Sequence, residues 1–448
     1  MFEMLYGKDK ESAKRAIEIA LKAGASGVRV TLNRGCVRSI GVLNGKIDKM
    51  QMCNDRSLYI QLFLKGRYGA FSTNMLDKES VERFIKEAAD IVKVITPDEN
   101  RTLPSPELYY NGGYKELGQF DKKILEITDE ERKAIAFAVY GEMEGKSVKP
   151  VSAESEYSDY LNYEYMVDSQ GFEGEILQSD FDVTAECSIK GDTDARYESF
   201  RHSGSITFDE LEYAGCGSTA LAKAVEKMNP KHISGGKYGM VVENVAASRL
   251  VAPLFNALSG SAIEQKRSFL LNSLDKRVLG ENLSIYDRPH LYGKSGSRYY
   301  DSEGIATKEM PIIENGIVKT YYINSYNANK LKCKPTVDSP SVPLFEKSIV
   351  ESGNKCSEAM MKRMGKGIFI TGFNGGNCNT TTGDFSYGIE GFYFNNGTIE
   401  HPVREMNITG NMVNLWNHFL CCGNDAPGWT RWQTPTLSFG DTDFNGLD

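Results

Sequence analysis

The sequence predicts an α+β protein of two domains with largely antiparallel sheets and flanking helices, and three observations carry that prediction. Runs of alternating polar and apolar residues recur between tight-turn signals, as in antiparallel strands with one wet face. The helix-patterned segments stand apart from those runs and do not alternate strand by strand, which argues against a doubly wound parallel sheet. At 448 residues, the chain exceeds the roughly 250–300 residues that one hydrophobic core fills. The boundary is drawn near Asn229-Pro230, giving an N-terminal α+β domain over 1–230 and a β-rich α+β domain over 231–448.

The elements follow in order. Between Lys8 and Ala23, the residues Ala13, Ala16, Ile17, Ile19, Ala20 and Leu21 recur at helical spacing, and Gly24 supplies a C-cap. SGVRVTL, CVRSIGVL and GKIDKMQM read as short separate strands with glycine breaks, and Asn44-Gly45 suits a hairpin. SLYIQLFLKGRYGAFST carries the sheet through a turn at Lys65-Gly66. Asp77 caps a helix carrying Val81, Phe84, Ile85, Ala88 and Val92, and Thr128 with Glu131 forms a capping box for the next. Long alternating runs from Lys149 to Lys190 predict antiparallel strands. A helix is expected from about Leu211 to Met228, and others near Ala246–Leu258, Ser357–Met364 and Met412–Cys421.

Composition narrows the function. Hydrophobic residues make up 40% and charged residues 25%, as in a folded chain. A net charge of −8 argues against a nucleic-acid partner, because phosphate-backbone binding needs a basic face. The nine cysteines are scattered without a CxxC pair, as in a reducing compartment. The N-terminus lacks a signal-peptide pattern and no run of about 18 apolar residues occurs, so no membrane span and a cytoplasmic location are expected.

Local motifs offer little chemistry. His202, His232, His290, His401 and His418 include no HExxH pair, so no local helix presents two imidazoles and a glutamate to a metal. Gly141 to Ser147 is one residue short of a phosphate loop and reads as a helix C-cap. Asp441 to Gly446 copies the start of a calcium loop without its closing glutamate and reads as a tail. No GxSxG is present, and the Ser-Gly-Ser runs at Ser259 and Ser295 read as turns. Cys421 and Cys422 near His418 could form a thiol and imidazole pair, against the plainer reading of small buried residues. Asp301 and Glu303 before Gly304 could do acid and base work or hold a turn. Thr380 to Ser386, after a glycine-rich run, could expose backbone N–H groups or join two strands.

Three long blocks go further: GRYGAFSTNMLDKESVERFIKEAADIV from Gly66, SGSRYYDSEGIATKEMPIIENGIVKTYYINSYNANKL from Ser295, and TGDFSYGIEGFYFNNGTIEHPVREMNITGNM from Thr382. Together they resemble the TldD/PmbA family, once described as modulators of DNA gyrase. With weaker segments between them, they span nearly the whole chain. The resemblance implies a metallopeptidase system of two related subunits that degrade or trim peptides and unfolded polypeptides. One subunit carries zinc on an HExxxH helix, and the other, of the PmbA/TldE type, does not.

Placing that metal helix over ASRLVAPLFNALSG sets its three positions on Ala252, Pro253 and Ala257. A methyl group cannot coordinate zinc, and proline has no carboxylate to take a proton from water. Nor do Cys421 and Cys422 match the zinc-bearing branch's C-terminal thiol, because they come too early. The chain therefore resembles the metal-free branch, with no cofactor of its own and no catalytic residue assigned. Zinc is expected in a TldD-type homologue bound as a heterodimer, with a peptide as substrate. The alternative is a regulatory homodimer that binds peptides or proteins without hydrolysis. A third reading, hydrolysis through Cys421, Cys422, Asp301 or Glu303, is the weakest. The segment is expected to pack as an ordinary helix with Leu250, Val251, Leu254 and Leu258 as its apolar stripe.

Overall fold

A computed structural model of the chain describes residues 2–446 apart from 114, 147, 149, 192 and 193. The N-terminal part runs α1 (Phe2–Lys22), β1 (Gly27–Leu43), β2 (Lys46–Leu64), β3 (Arg67–Thr73), α2 (Lys78–Val92), α3 (Asp129–Gly141), β4 (Ser152–Asp168), β5 (Glu173–Lys190), β6 (Arg196–Ser205) and α4 (Cys216–Glu226). Its six strands form one sheet in the order β3-β2-β1-β4-β5-β6, and every neighbouring pair is antiparallel.

The local signals act where the sequence places them. Asn44 and Gly45 take φ of 47° and 80°, the left-handed pair that a tight hairpin needs, and Lys65 and Gly66 repeat the pattern at 51° and 72°. Asp77 accepts a hydrogen bond from the Ser80 N–H at 2.9 Å, and Thr128 and Glu131 make both bonds of the capping box. The expected short strands around Gly35 and Gly41 are instead continuous. β1 is 17 residues long and carries both glycines inside it. Pairing on both of its edges, to β2 and β4, outweighs glycine's weak strand preference, and Gly41 marks a register slip at Val42.

One face of this sheet is covered by helices in two groups. α1 and α2 bury Val28, Val30, Leu32, Leu58, Ile60 and Leu62. α3 and α4 bury Ile40, Val42, Tyr157, Phe181, Val183 and Ala185. Alternate β1 residues thus feed two cores on the same face. Within the second group, Arg132 is inserted with its Nε 2.6 Å from Asp159, both almost fully buried.

The remaining chain runs β7 (Gly236–Val242), α5 (Asn244–Ala257), α6 (Gly260–Glu264), β8 (Ile285–Asp287), β9 (Met310–Glu314), β10 (Ile317–Val318), α7 (Ser325–Leu331), β11 (Pro343–Phe345) and β12 (Ile349–Val350). It continues with α8 (Cys356–Met364), β13 (Gly367–Cys378), β14 (Asp384–Asn395), β15 (Thr398–Asn411), α9 (Met412–Asn417), β16 (Phe419–Gly423) and β17 (Leu437–Gly446). A small sheet has the order β10-β9-β8-β11, and a larger one the order β12-β16-β17-β15-β14-β13-β7. A further β17–β7 pairing closes β7, β13, β14, β15 and β17 into a ring. Its core holds Trp416, Phe419, Phe439 and Phe444, and α5 packs against the same core. Antiparallel pairing dominates, with β13–β7 and β12–β16 the parallel exceptions.

Three expectations are corrected here. The helix read as starting near Leu211 begins at Cys216, after a short 3₁₀ turn. The helix read as reaching Cys421 stops at Asn417, and Phe419–Gly423 is a strand held between β12 and β17. The calcium-loop-like tail is part of β17, with Thr442 opposite Tyr238, because buried Thr442 and Phe444 alternate with exposed Asp441, Asp443 and Asn445 as in a half-buried strand. Among the described residues no helix is long and apolar enough to cross a membrane.

The two parts of the chain meet on the other face of the first sheet. The Arg29 Nη2 donates to Asp168 Oδ2 at 3.1 Å and to the Glu303 carbonyl at 2.7 Å. The Tyr109 hydroxyl donates to the same Asp168 oxygen at 2.6 Å. Around them Met166, Phe172 and Tyr300 are buried, with Phe172 edge-on to Tyr300.

Candidate functional site

A cleft of about 920 Å³ opens between the two parts. One wall is β6, the outermost strand of the first sheet, through Ser199, Phe200, Arg201 and His202. The opposite side is built from the first turns of α5, the strands β13 and β14, and the segment 427–434. Ion pairs tie the walls together: Lys223 Nζ lies 2.6 Å from Glu243, and Lys227 Nζ lies 2.7 Å from Glu390 and donates to the Glu198 carbonyl at 2.7 Å. His202 Nε2 lies 2.7 Å from Asp182, and its ring stands edge-on to Trp429. Arg249 lies over the Tyr387 ring and donates to the Gly376 carbonyl at 2.7 Å.

The apolar lining is unusually available. Phe200 is 57% exposed, and Ile399 and Val245 are also open. An edge strand offers unpaired N–H and C=O groups to an extended chain, and apolar recesses on either side take its alternate side chains. The arrangement is suited to holding a peptide. Its two lysines, Lys223 and Lys227, are held in ion pairs with Glu243 and Glu390.

The three metal-helix positions can now be placed. α5 runs unbroken through Pro253, although proline leaves the Arg249 carbonyl without its usual donor. Ala252 is half-buried, while Pro253 and Ala257 are buried. Leu250, Val251, Leu254 and Leu258 are fully buried in the same apolar core. Two methyls and a pyrrolidine in that setting do not fit a zinc ion. Among the described residues, no group of three or more His, Cys, Asp or Glu side chains is arranged to hold a metal.

The other residues flagged in the sequence are dispersed. Cys421 contacts the Ser438 hydroxyl at 3.0 Å, and Cys422 donates to the Lys347 carbonyl. Burial, reinforced by Cys421, pushes the Cys422 thiol up to about 12, so it is no thiolate at neutral pH. His418 turns its Nδ1 to the Asn414 carbonyl at 2.8 Å, while the two thiols bond to Ser438 and the Lys347 carbonyl instead. Asp301 is buried and holds a turn, accepting from the N–H groups of Glu303, Ile305 and Asp338. Glu303 accepts from Ser325 N–H at 2.7 Å. Desolvation and the charges of Asp338 and Glu303 push Asp301 up to about 7. Both carboxylates face structural donors, not the cleft.

Of Thr380–Ser386, residues 380–383 form the turn between β13 and β14 and 384–386 belong to β14; Asn379 Oδ1 accepts from the N–H groups of Thr381 and Thr382, which leaves those donors satisfied. Gly141 to Lys146 is a turn after α3, and Ser147 lies outside the described residues. His232 pairs with Glu405, His290 with Thr307, and His401 with its neighbouring carbonyl.

Beside the cleft, β4 and β5 present Glu154, Glu156, Asp182 and Glu186 on one surface that His202 also borders. Neighbouring Asp180 is pushed up to about 7 by burial and by Asp182. A carboxyl group raised in the folded state gives stability that is complete below about pH 4 and is lost as pH rises through about 7. Asp180→Asn is therefore expected to leave stability at pH 4 unchanged and to raise it at pH 8 by on the order of 2 kcal/mol. Denaturant unfolding at the two pH values checks this, and an equal effect at both would refute it.

Sequence reasoning missed Phe200, Arg201, Trp429 and Trp432, which line the cleft from segments more than 200 residues apart. The signals were present as an aromatic on a strand face and the run GWTRW from Gly428.

Comparison with known proteins agrees with this architecture. The profile described as "PmbA/TldA metallopeptidase C-terminal domain" matches residues 235–446, and "PmbA/TldA metallopeptidase domain 1" matches residues 28–92. The metalloprotease PmbA homolog of Haemophilus influenzae is 28% identical over 437 residues, covering 96% of this chain and 94% of its own. The metalloprotease PmbA of Escherichia coli O157:H7 is 26% identical, over 93% and 91%. A Bacteroides thetaiotaomicron crystal structure bearing a gyrase-modulator description superposes with a TM-score of 0.94 at 38% identity, over 98% of this chain and 99% of that one. TldE from Thermococcus kodakarensis shares the fold, with a TM-score of 0.84 at 17% identity over 97% and 100%. Profile matches across more than half the chain, and a 38% identical structure along nearly all of it, establish that the chain belongs to the TldD/PmbA family.

Proposed function

We propose that this chain is the metal-free, PmbA/TldE-type subunit of a zinc metallopeptidase pair, and that it holds an extended peptide while a zinc-bearing TldD-type homologue cleaves it. The observation that carries this reading is an open cleft lined by the first turns of α5, a helix whose positions placed on the metal-binding ones by resemblance are Ala252, Pro253 and Ala257. A peptide laid along β6 would take its affinity from main-chain hydrogen bonds and its selectivity from the recesses around Phe200, Trp429 and Phe373. This chain's part is to bind, align and shield the substrate from water.

The test mixes the purified chain with a zinc-bearing homologue encoded in the same genome. A stable complex and a gain in peptide cleavage over either chain alone are expected. Phe200→Ala in the complex should weaken peptide binding roughly tenfold, as loss of an exposed aromatic anchor does, with the thermal midpoint unchanged. Absence of both complex and gain, or stoichiometric zinc in this chain alone, defeats the proposal.

A further inference from the structure

The cleft carries a charge opposite to that of the chain. Arg201, Lys223, Lys227, Arg249 and Arg431 line it against three glutamates, although the chain as a whole stands at −8. Two of those glutamates are already spent. Glu243 holds Lys223 at 2.6 Å and Glu390 holds Lys227 at 2.7 Å, which leaves only Glu226, exposed at the end of α4. Among the described residues, Arg201, Arg249 and Arg431 pair with no carboxylate. Arg201 lies 6.0 Å from the centroid of the Trp429 ring, and Arg249 lies 4.8 Å from that of Tyr387. Arg431 Nη2 donates to the Ser339 hydroxyl oxygen at 3.1 Å and to the Pro340 carbonyl at 2.6 Å. Of the carboxylates whose charges reach Arg431, Asp338 is taken by Arg298, and Asp287 by the N–H groups of Ser341 and Val342. Rings and carbonyls temper a guanidinium's charge but do not match its bidentate N–H fork, which stays open to a carboxylate.

We infer, on the reading that the cleft holds a peptide, that it selects an acidic segment, whose aspartate or glutamate carboxylates meet Arg201, Arg249 and Arg431 while an apolar side chain between them rests on Phe200 and Trp429. The three guanidiniums come from three separate elements, β6, α5 and the segment 427–434. Carboxylates spaced along a chain suit that spread better than the single carboxylate of a peptide's C-terminus. Concave walls of one sign concentrate the field within the cleft, so the preference acts on approach as well as on contact. A nucleic acid has the right sign but the wrong continuity. Past His202 the wall gives way to the acidic surface of Glu154, Glu156, Asp182 and Glu186, which repels a phosphate backbone running on from the cleft.

Fluorescence polarisation of the full chain tests the assignment with two short, labelled, C-terminally amidated peptides, one of glutamate, alanine and phenylalanine and the other with glutamine in place of glutamate. The glutamate peptide is expected to bind roughly tenfold more tightly in about 0.15 M salt, as charge-assisted hydrogen bonds in a partly enclosed site allow. Arg201→Gln combined with Arg249→Gln should reduce that ratio to less than about threefold. Neither arginine is buried, so the circular-dichroism spectrum should not change. Equal affinity for the two peptides, with both weakened by Phe200→Ala, overturns the acid preference and leaves the peptide-holding reading in place. Binding of neither peptide overturns both. A ratio that survives the two arginine substitutions places the selectivity elsewhere and overturns the inference. So does a glutamine peptide with a free C-terminus that matches the amidated glutamate peptide, or an oligothymidylate that binds more tightly than either.

Discussion

Ala257→His, which installs the second histidine of the zinc-bearing branch, is expected to destabilise the chain by about 2–5 kcal/mol. Ala257 has no exposed surface and lies in the core built around Trp416 and Phe439. An imidazole there adds volume to a filled interior and buries two nitrogens without partners. Ala252→His, at a half-buried position, should cost less than about 1 kcal/mol. Urea unfolding of the two variants separates them, with the midpoint falling for Ala257→His alone. An imidazole at Ala257 therefore competes directly with the packing of α5. A stable Ala257→His protein that acquires zinc would contradict the account of α5.

The second large effect is expected at Arg29→Ala. Arg29 and Asp168 have side chains only 3% and 0% exposed, and removing the guanidinium strands a buried carboxylate. Loss of one partner from such a pair costs about 3–5 kcal/mol. Asp168 keeps the Tyr109 hydroxyl and the N–H groups of Gln170 and Phe172, which places the cost toward the lower end. The substitution also cuts the bond to the Glu303 carbonyl, one of the fastenings between the first sheet and the rest of the chain. Amide exchange should therefore accelerate around residues 299–306 together with the unfolding midpoint's decline. A variant as stable as the parent, or one whose exchange rises only within β1, would show that the joint lies elsewhere.

What could be read from the sequence depended on how local the determining interactions are. Asp77, Thr128 with Glu131, and Asn44-Gly45 act on backbone within three residues of themselves, so their roles are legible directly. Gly35 and Gly41 look like strand breaks because the pairing that overrides them comes from β4, more than 100 residues away. Cys421 and Cys422 sit on a strand because β17 on one side and β12 on the other hold that segment, contacts that local periodicity does not reveal. Ala252, Pro253 and Ala257 drew notice only through the family resemblance; periodicity alone describes an ordinary apolar helix. The cleft was not legible, because β6, α5 and the GWTRW segment become neighbours only after both parts of the fold have formed.

β1 passes unbroken under both helical groups, giving Val28, Val30 and Leu32 to one core and Ile40 and Val42 to the other. The strand behaves as a shared girder, and neither helical pair can detach without loosening the support of its neighbour. The cores flanking α1 and α3 should consequently melt in a single step, despite having no side chains in common.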